Sequence, residues 1–82
     1  MDIETAIERF IVDEIMLGDS TTKIDPDESL ISSGVLDSLA LLRLIAFIEE
    51  QFGVMVEDTE VIPENFETIN EIKDFIVKKK KS

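Results

Sequence analysis

The chain contains neither cysteine nor histidine. Disulfides and thiolate metal sites are therefore excluded, and a serine nucleophile would find no imidazole to take its proton. Bases are scarce as well, 8 against 19 acids for a formal net charge of -11. Such a surface repels phosphate backbones, so no nucleic-acid partner is expected. Four of the bases are Lys78, Lys79, Lys80 and Lys81, which leaves residues 1–77 with 4 bases against 19 acids, a net of -15. The acidity thus belongs to the fold, and a basic protein surface is its natural complement. No apolar run approaches the roughly 18–20 residues of a bilayer-spanning helix. The opening Met1-Asp2-Ile3-Glu4 is acidic where a signal peptide is basic, so a cytoplasmic location without membrane insertion is expected. No glycine-rich phosphate cradle or metal-ligand cluster occurs. Adjacent carboxylates such as Glu49 and Glu50 read as a solvated face. An enzyme working with carboxylates alone has no support.

What is present suffices for a small fold. At 82 residues, 44% hydrophobic and 33% charged, the chain is expected to form one domain, residues 1–82. A domain of this size buries only about 60–65% of its unfolded surface, so a stability of a few kcal/mol is expected.

Ile3, Ala6, Ile7, Phe10 and Ile11 recur at helical steps, with Asp2 placed to cap the helix and Gly18 to end it. Residues 18–34 have no helical period and are dense in turn formers, so they read as a loop pinned by Ile24, Leu30 and Ile31. Asp25, Asp27 and Ser29 alternate as in a calcium loop. The sixth and twelfth positions of such a loop would be Leu30 and Leu36 rather than glycine and glutamate, which excludes that site.

Residues 37–52 form the central helix, with Leu41, Leu44, Ile45, Ile48 and Phe52 on the face expected to pack against the first helix and Leu42 at its edge. Leu39, Arg43, Ala46 and Glu50, flanked by Phe47, form the opposite face, a candidate docking surface. Gly53 closes this helix, and Val54 and Val56 alternate outward and inward in a short link. Residues 58–62 are expected to make one or two helical turns, ended by Pro63, with Phe66 anchoring the connection that follows. Thr68 and Glu71 have capping-box spacing before a last helix carrying Ile69, Ile72, Phe75 and Ile76. Residues 78–82 read as a frayed basic tail suited to the negative end of that helix dipole.

The residues of greatest interest are Gly34-Val35-Leu36-Asp37-Ser38-Leu39, where the polar loop turns into the central helix. Asp37 and Ser38 both suit a helix cap. A phosphodiester on Ser38 would also lie at the positive end of the helix dipole.

That hexapeptide, followed by Leu42, Ile45, Ile48, Glu49, Glu50, Phe52 and Gly53, resembles the acyl and peptidyl carrier proteins, whose Asp-Ser-Leu motif bears 4'-phosphopantetheine on its serine. The resemblance covers essentially the whole chain. It implies an all-α fold, a four-helix bundle with a long first loop and a short third helix. Ser38 would be modified by a phosphopantetheinyl transferase using coenzyme A, and the arm's thiol would hold an acyl or aminoacyl thioester. Asp37 would support the transferase and its metal, and Leu39 would enter a partner's pocket. The chain would be a carrier, expected to be monomeric, and not an enzyme. Its partners would be the transferase, an acyl- or aminoacyl-loading ligase or transferase, and a downstream synthase or transferase.

Two departures narrow the family. Two residues, Val35 and Leu36, separate Gly34 from Asp37 where housekeeping fatty acid carriers typically have one. The face of the motif helix has Ala40, Arg43 and Ala46 where those carriers tend to be acidic. Both resemble the stand-alone carriers of specialised pathways, including D-alanyl carrier proteins. Short or polar cargo is expected, because Leu41, Leu44, Ile45, Ile48 and Phe66 can fill a small core completely. Motion is expected in residues 18–34 and in the short third helix. The rival reading is an unmodified acidic helical adaptor that binds a basic partner through Leu39, Ala46 and Phe47.

Overall fold

Asp2 opens the first helix, α1 (Ile3–Phe10), in the computed structural model, which describes residues 2–18 and 23–81. Its Oδ1 accepts the Thr5 N–H at 2.7 Å, and hydrogen bonding from the Thr5 hydroxyl, with that N–H second, holds the Asp2 carboxyl below its usual range. The helix continues through Ile11–Ile15 as a π-helical turn, in which the Met16 N–H reaches five residues back to the Ile11 carbonyl at 2.8 Å. Gly18 was expected to end this helix by taking the left-handed conformation. Leu17 takes it instead, with φ 54°, and the Gly18 N–H donates to the Val12 carbonyl at 2.8 Å. The extra residue in the π turn changes where the hydrogen-bond ladder runs out.

The loop is pinned as its apolar residues imply. Ile24 and Leu30 are buried and Ile31 is half-buried. Polar bonds add a second set of anchors. The Ile24 N–H donates to Glu8 Oε2 at 3.1 Å, the Leu30 N–H to the Glu67 carbonyl at 2.7 Å and the Asn70 N–H to the Pro26 carbonyl at 3.1 Å. The Ser29 hydroxyl donates to the Glu67 carboxylate, and Asn70 Nδ2 donates to Asp27 Oδ1 at 2.7 Å. Residues 19–22 of this loop, and Ser82 of the tail, lie outside the described residues.

The central helix, α2 (Ser38–Phe52), is capped by Asp37 and ends at Gly53, whose φ of 68° is left-handed. Its buried stripe is Ala40, Leu44 and Ile48, four residues apart. This rotates the expected faces. Ala40, placed on the outer face by its sequence context, is 8% exposed, while Leu42, placed at the edge of the inner face, is 63% exposed. Phe47 is half-buried because it stacks on Phe10, with ring centroids 4.4 Å apart, an arrangement worth about 0.5–1.5 kcal/mol beyond burial. This stack joins α1 to α2, although the backbone of α1 comes closest to the last helix.

Val54 and Val56 do not alternate. Both are half-buried against the core with Met55 exposed between them, as residues two apart on an extended chain must be. A 3-10 turn covers Asp58–Glu60. Ile62 is extended before Pro63, and residues 63–66, expected to be a connection, form the short helix α3 (Pro63–Phe66) with proline at its start. Phe66 is fully buried, its ring 5.4 Å from that of Phe75.

The last helix is α4 (Ile69–Lys81), burying Ile69, Ile72, Phe75 and Ile76. Thr68 Oγ1 accepts the Glu71 N–H at 3.1 Å. The return bond joins the Thr68 hydroxyl to Glu71 Oε1, so the box closes through the hydroxyl and not the backbone. The expected frayed tail is helical through Lys81. Lys79 Nζ lies 2.9 Å from Glu60 Oε1, and Lys80 Nζ lies 3.5 Å from the Phe52 carbonyl. Those partners hold the final turn in place. All four helices close on one apolar cluster, and among the described residues there is no strand and no buried polar side chain.

Candidate functional site

The approach to α2 is a tight turn. The Gly34 N–H donates to the Ile31 carbonyl at 3.1 Å, and the Leu36 N–H to the Leu30 carbonyl at 3.0 Å. Gly34 has φ 85°, and a Cβ there would meet nothing within 4 Å. The glycine is therefore needed for its backbone angle and not for space. Leu36 is 4% exposed and Val35 half-buried. Leu36 plugs the core, and with it the start of α2 is fixed to the body of the protein.

Asp37 and Ser38 follow, both exposed. Asp37 Oδ1 accepts the Ala40 N–H at 2.8 Å, the capping role open to it from sequence. Ser38 is the first residue of the 15-residue α2. Its hydroxyl has no hydrogen-bond partner among the described residues. The Ser29 and Ser33 hydroxyls, by contrast, donate to the Glu67 carboxylate and the Leu30 carbonyl. Ser38 thus offers a free primary alcohol at a helix N-terminus, where free amides and the helix dipole favour an attached phosphate. No cluster of three or more His, Asp or Glu fit to hold a metal occurs among the described residues.

The other predicted site residues separate into two grooves. Leu39 and Arg43 line one of about 330 Å³ beside Ser38, together with Ile15, Met16, Gly34, Val35, Asp37 and Ala40. Arg43, Ala46, Phe47 and Glu50 line a second of about 350 Å³ with Phe10 and Gln51. Leu39, Arg43, Ala46 and Glu50 are exposed, whereas Phe47 is half-buried. Met16, Leu17 and Met55 are exposed apolar residues that the sequence does not mark as such. Nothing local to those positions signals it, because their exposure follows from the π turn and from the course of the link.

A family model described as the phosphopantetheine attachment site matches residues 11–76. The chain belongs to this family of carrier proteins. An acyl carrier protein of Nitratidesulfovibrio vulgaris (strain DP4) is 33% identical over 76 residues, covering 93% of this chain and 91% of the relative. A solved holo acyl carrier protein from Nitrosomonas europaea superposes with a TM-score of 0.82 at 26% identity, covering all of both chains. The solved apo KstB-PCP gives a TM-score of 0.76 at 36% identity, covering 90% of this chain and 81% of that one.

The carrier is therefore not an enzyme, and its cofactor is a covalently attached 4'-phosphopantetheine. It works with phosphopantetheinyl transferases and pathway enzymes, as carriers do generally. Among the described residues no helix is long and apolar enough to cross a membrane. The geometry at residue 38 fits the group: a hydroxyl without a partner among the described residues, a capped helix start and an approach anchored by the buried Leu36.

Proposed function

We propose that Ser38 is the attachment point, and that the chain is a discrete carrier which delivers an acyl or aminoacyl group to partner enzymes of a specialised biosynthetic pathway in the cytoplasm. The observation that carries this is the exposed Ser38 hydroxyl, first in α2 and without a local partner. Its Oγ attacks the β-phosphorus of coenzyme A. The Oγ–P bond forms, the pyrophosphate bond breaks, 3',5'-ADP leaves, and the serine proton passes to a base on the transferase. The chain has no histidine to take that proton. Once attached, the group supplies a tethered thiol for the cargo.

Asp37 holds the first turn of α2 in place, so that the transferase meets a preformed helix end. Leu39, Arg43, Ala46, Phe47 and Glu50 form the face that partners read, with the exposed Leu39 as the apolar anchor and Arg43 and Glu50 as charges of opposite sign. The specialised assignment is supported by Val35 and Leu36 before Asp37 and by a docking face of mixed charge. It is further supported by the likeness to a peptidyl carrier at 36% identity. Short or polar cargo fits the dense packing of Leu44, Ile48 and Phe66, each fully buried.

The test is incubation with coenzyme A and a broad-specificity transferase, read by intact mass. The unaltered chain is expected to gain one phosphopantetheine and Ser38→Ala none. A folded chain that several transferases all leave unmodified would end the proposal.

A further inference from the structure

The two grooves along α2 continue into a third, of about 460 Å³, which Asp13 and Glu14 of α1 line together with Gln51. Arg43 is a wall of the first and second, while Phe10, Phe47 and Gln51 are walls of the second and third. The three therefore form one furrow between α1 and α2. It stays open because the backbone of α1 lies closest to α4, and the Phe10–Phe47 stack bridges the gap to α2 as its floor. Met16 and Leu39, both exposed, stand at the end nearer the loop. The two walls differ in charge. Arg43 rises from α2 and Asp13 and Glu14 from α1, all three exposed and without an ion-pair or hydrogen-bond partner among the described residues. Further along, Glu50 and Arg9 exchange the signs of the walls. From Leu39 to Gln51, the α2 residues of the furrow lie about 80–220° round the helix from Ser38, at roughly 100° per residue. Whatever fills the furrow leaves Ser38 uncovered.

We propose that this furrow takes an amphipathic helix of a partner protein, with apolar side chains on the Phe10–Phe47 floor, a carboxylate against Arg43 and a basic side chain against Asp13 and Glu14. The inference deepens the partner-face reading given above and rests on it. Leu39 to Gln51 spans about 18 Å of helix axis, at roughly 1.5 Å per residue. That is three turns, enough for apolar anchors at i, i+4 and i+7 of a docked helix. The charges select the occupant. A nucleic acid would set phosphates against Asp13 and Glu14, and an apolar chain has nothing to offer the charged walls. An extended peptide would lay its backbone amides over aromatic rings, whereas a helix satisfies its own. Because the furrow faces away from Ser38, the partner holds the carrier while an arm on that serine remains free to enter an active site.

The probe is a synthetic lactam-bridged helix of about 14 residues, with leucines at i, i+4, i+7 and i+11, glutamates along one flank and lysines along the other. A second peptide has lysines on both flanks. Each is titrated to about 1 mM into the full apo chain, at fixed salt, and followed by methyl and aromatic NMR. The glutamate peptide is expected to shift the Phe10 and Phe47 rings and the Met16 and Ala46 methyls, and to spare Met55 and Ile62. Arg43→Glu should change the ratio of the two affinities about threefold or more in favour of the all-lysine peptide. The phosphopantetheine-loaded chain should bind the glutamate peptide as the apo chain does. Absence of binding, shifts centred on Met55 and Ile62, an affinity ratio that Arg43→Glu leaves unchanged, or loss of binding on loading would each overturn the inference. The rate at which a broad-specificity transferase loads Leu39→Arg tells its failure from that of the underlying reading. Slowed loading without peptide binding retains the face as a docking surface and removes the helix, and unslowed loading without peptide binding removes both.

Discussion

Replacing Asp37 separates the two tasks assigned to it. Asp37→Ala removes the 2.8 Å bond from the Ala40 N–H together with a negative charge at the start of α2. Loss of an N-cap costs about 0.5–2 kcal/mol. Asp37→Asn keeps an oxygen able to accept that N–H and removes only the charge, which at an exposed helix N-terminus is worth about 0.3–1 kcal/mol. In a domain whose whole stability is on the order of 5 kcal/mol, both variants remain folded. The alanine variant should melt about 4–8 °C lower per kcal/mol lost. Urea denaturation followed by circular dichroism, at pH 7 and fixed salt, gives the two free energies directly. Alanine is expected to cost more than asparagine. Equal losses would show that the charge and not the hydrogen bond stabilises the helix start, and no loss in either would refute the capping argument. Because asparagine preserves the helix end, slow phosphopantetheine loading of that variant reports on contact with the transferase and not on folding.

Three further outcomes follow from the packing. Leu17→Gly should stabilise the fold by up to about 1 kcal/mol in urea denaturation, because a left-handed non-glycine residue costs roughly 1–2 kcal/mol and this leucine, 79% exposed, gives up little burial. Phe66→Ala should cost about 3–5 kcal/mol and bring the urea midpoint, followed by circular dichroism, down toward zero denaturant, since Phe66 is fully buried and packs on Phe75. The hydrogen bond from Lys79 holds the Glu60 carboxyl below its ordinary 4.5. Its contribution is therefore complete above about pH 4.5 and is lost as the pH falls through the lowered value, so Glu60→Gln should flatten that part of the stability curve against acid.

Much of the fold is legible in particular residues. Asp2, Asp37 and Gly53 mark helix ends by simple chemistry, and the structure uses all three in that way. Ile69, Ile72, Phe75 and Ile76 recur at helical spacing and are all buried. What escaped the sequence depends on non-local geometry. The π turn after Phe10 has no local signature, and without it Gly18 is the natural helix end. Ala40 is small enough to suit either face of α2, and only the packing of the other helices turns it inward. Phe47 is drawn partly inside by Phe10, which is distant in sequence. The clip joining Ser29 and Asp27 to Glu67 and Asn70 unites residues some forty positions apart, so a loop that reads as pinned only by its apolar residues is also tied by polar bonds to the start of α4. The site itself was more legible than its surroundings, because attachment needs one hydroxyl at one capped helix end. The grooves beside it need three chain segments to converge.

The central claim is that Ser38 bears the arm. Proteolysis of the fully loaded chain, followed by fragmentation of the modified peptide, tests it most directly. A single phosphopantetheine located on Ser38 is expected. The same mass located on Ser29, Ser32 or Ser33, or retained in full by Ser38→Ala, would contradict it.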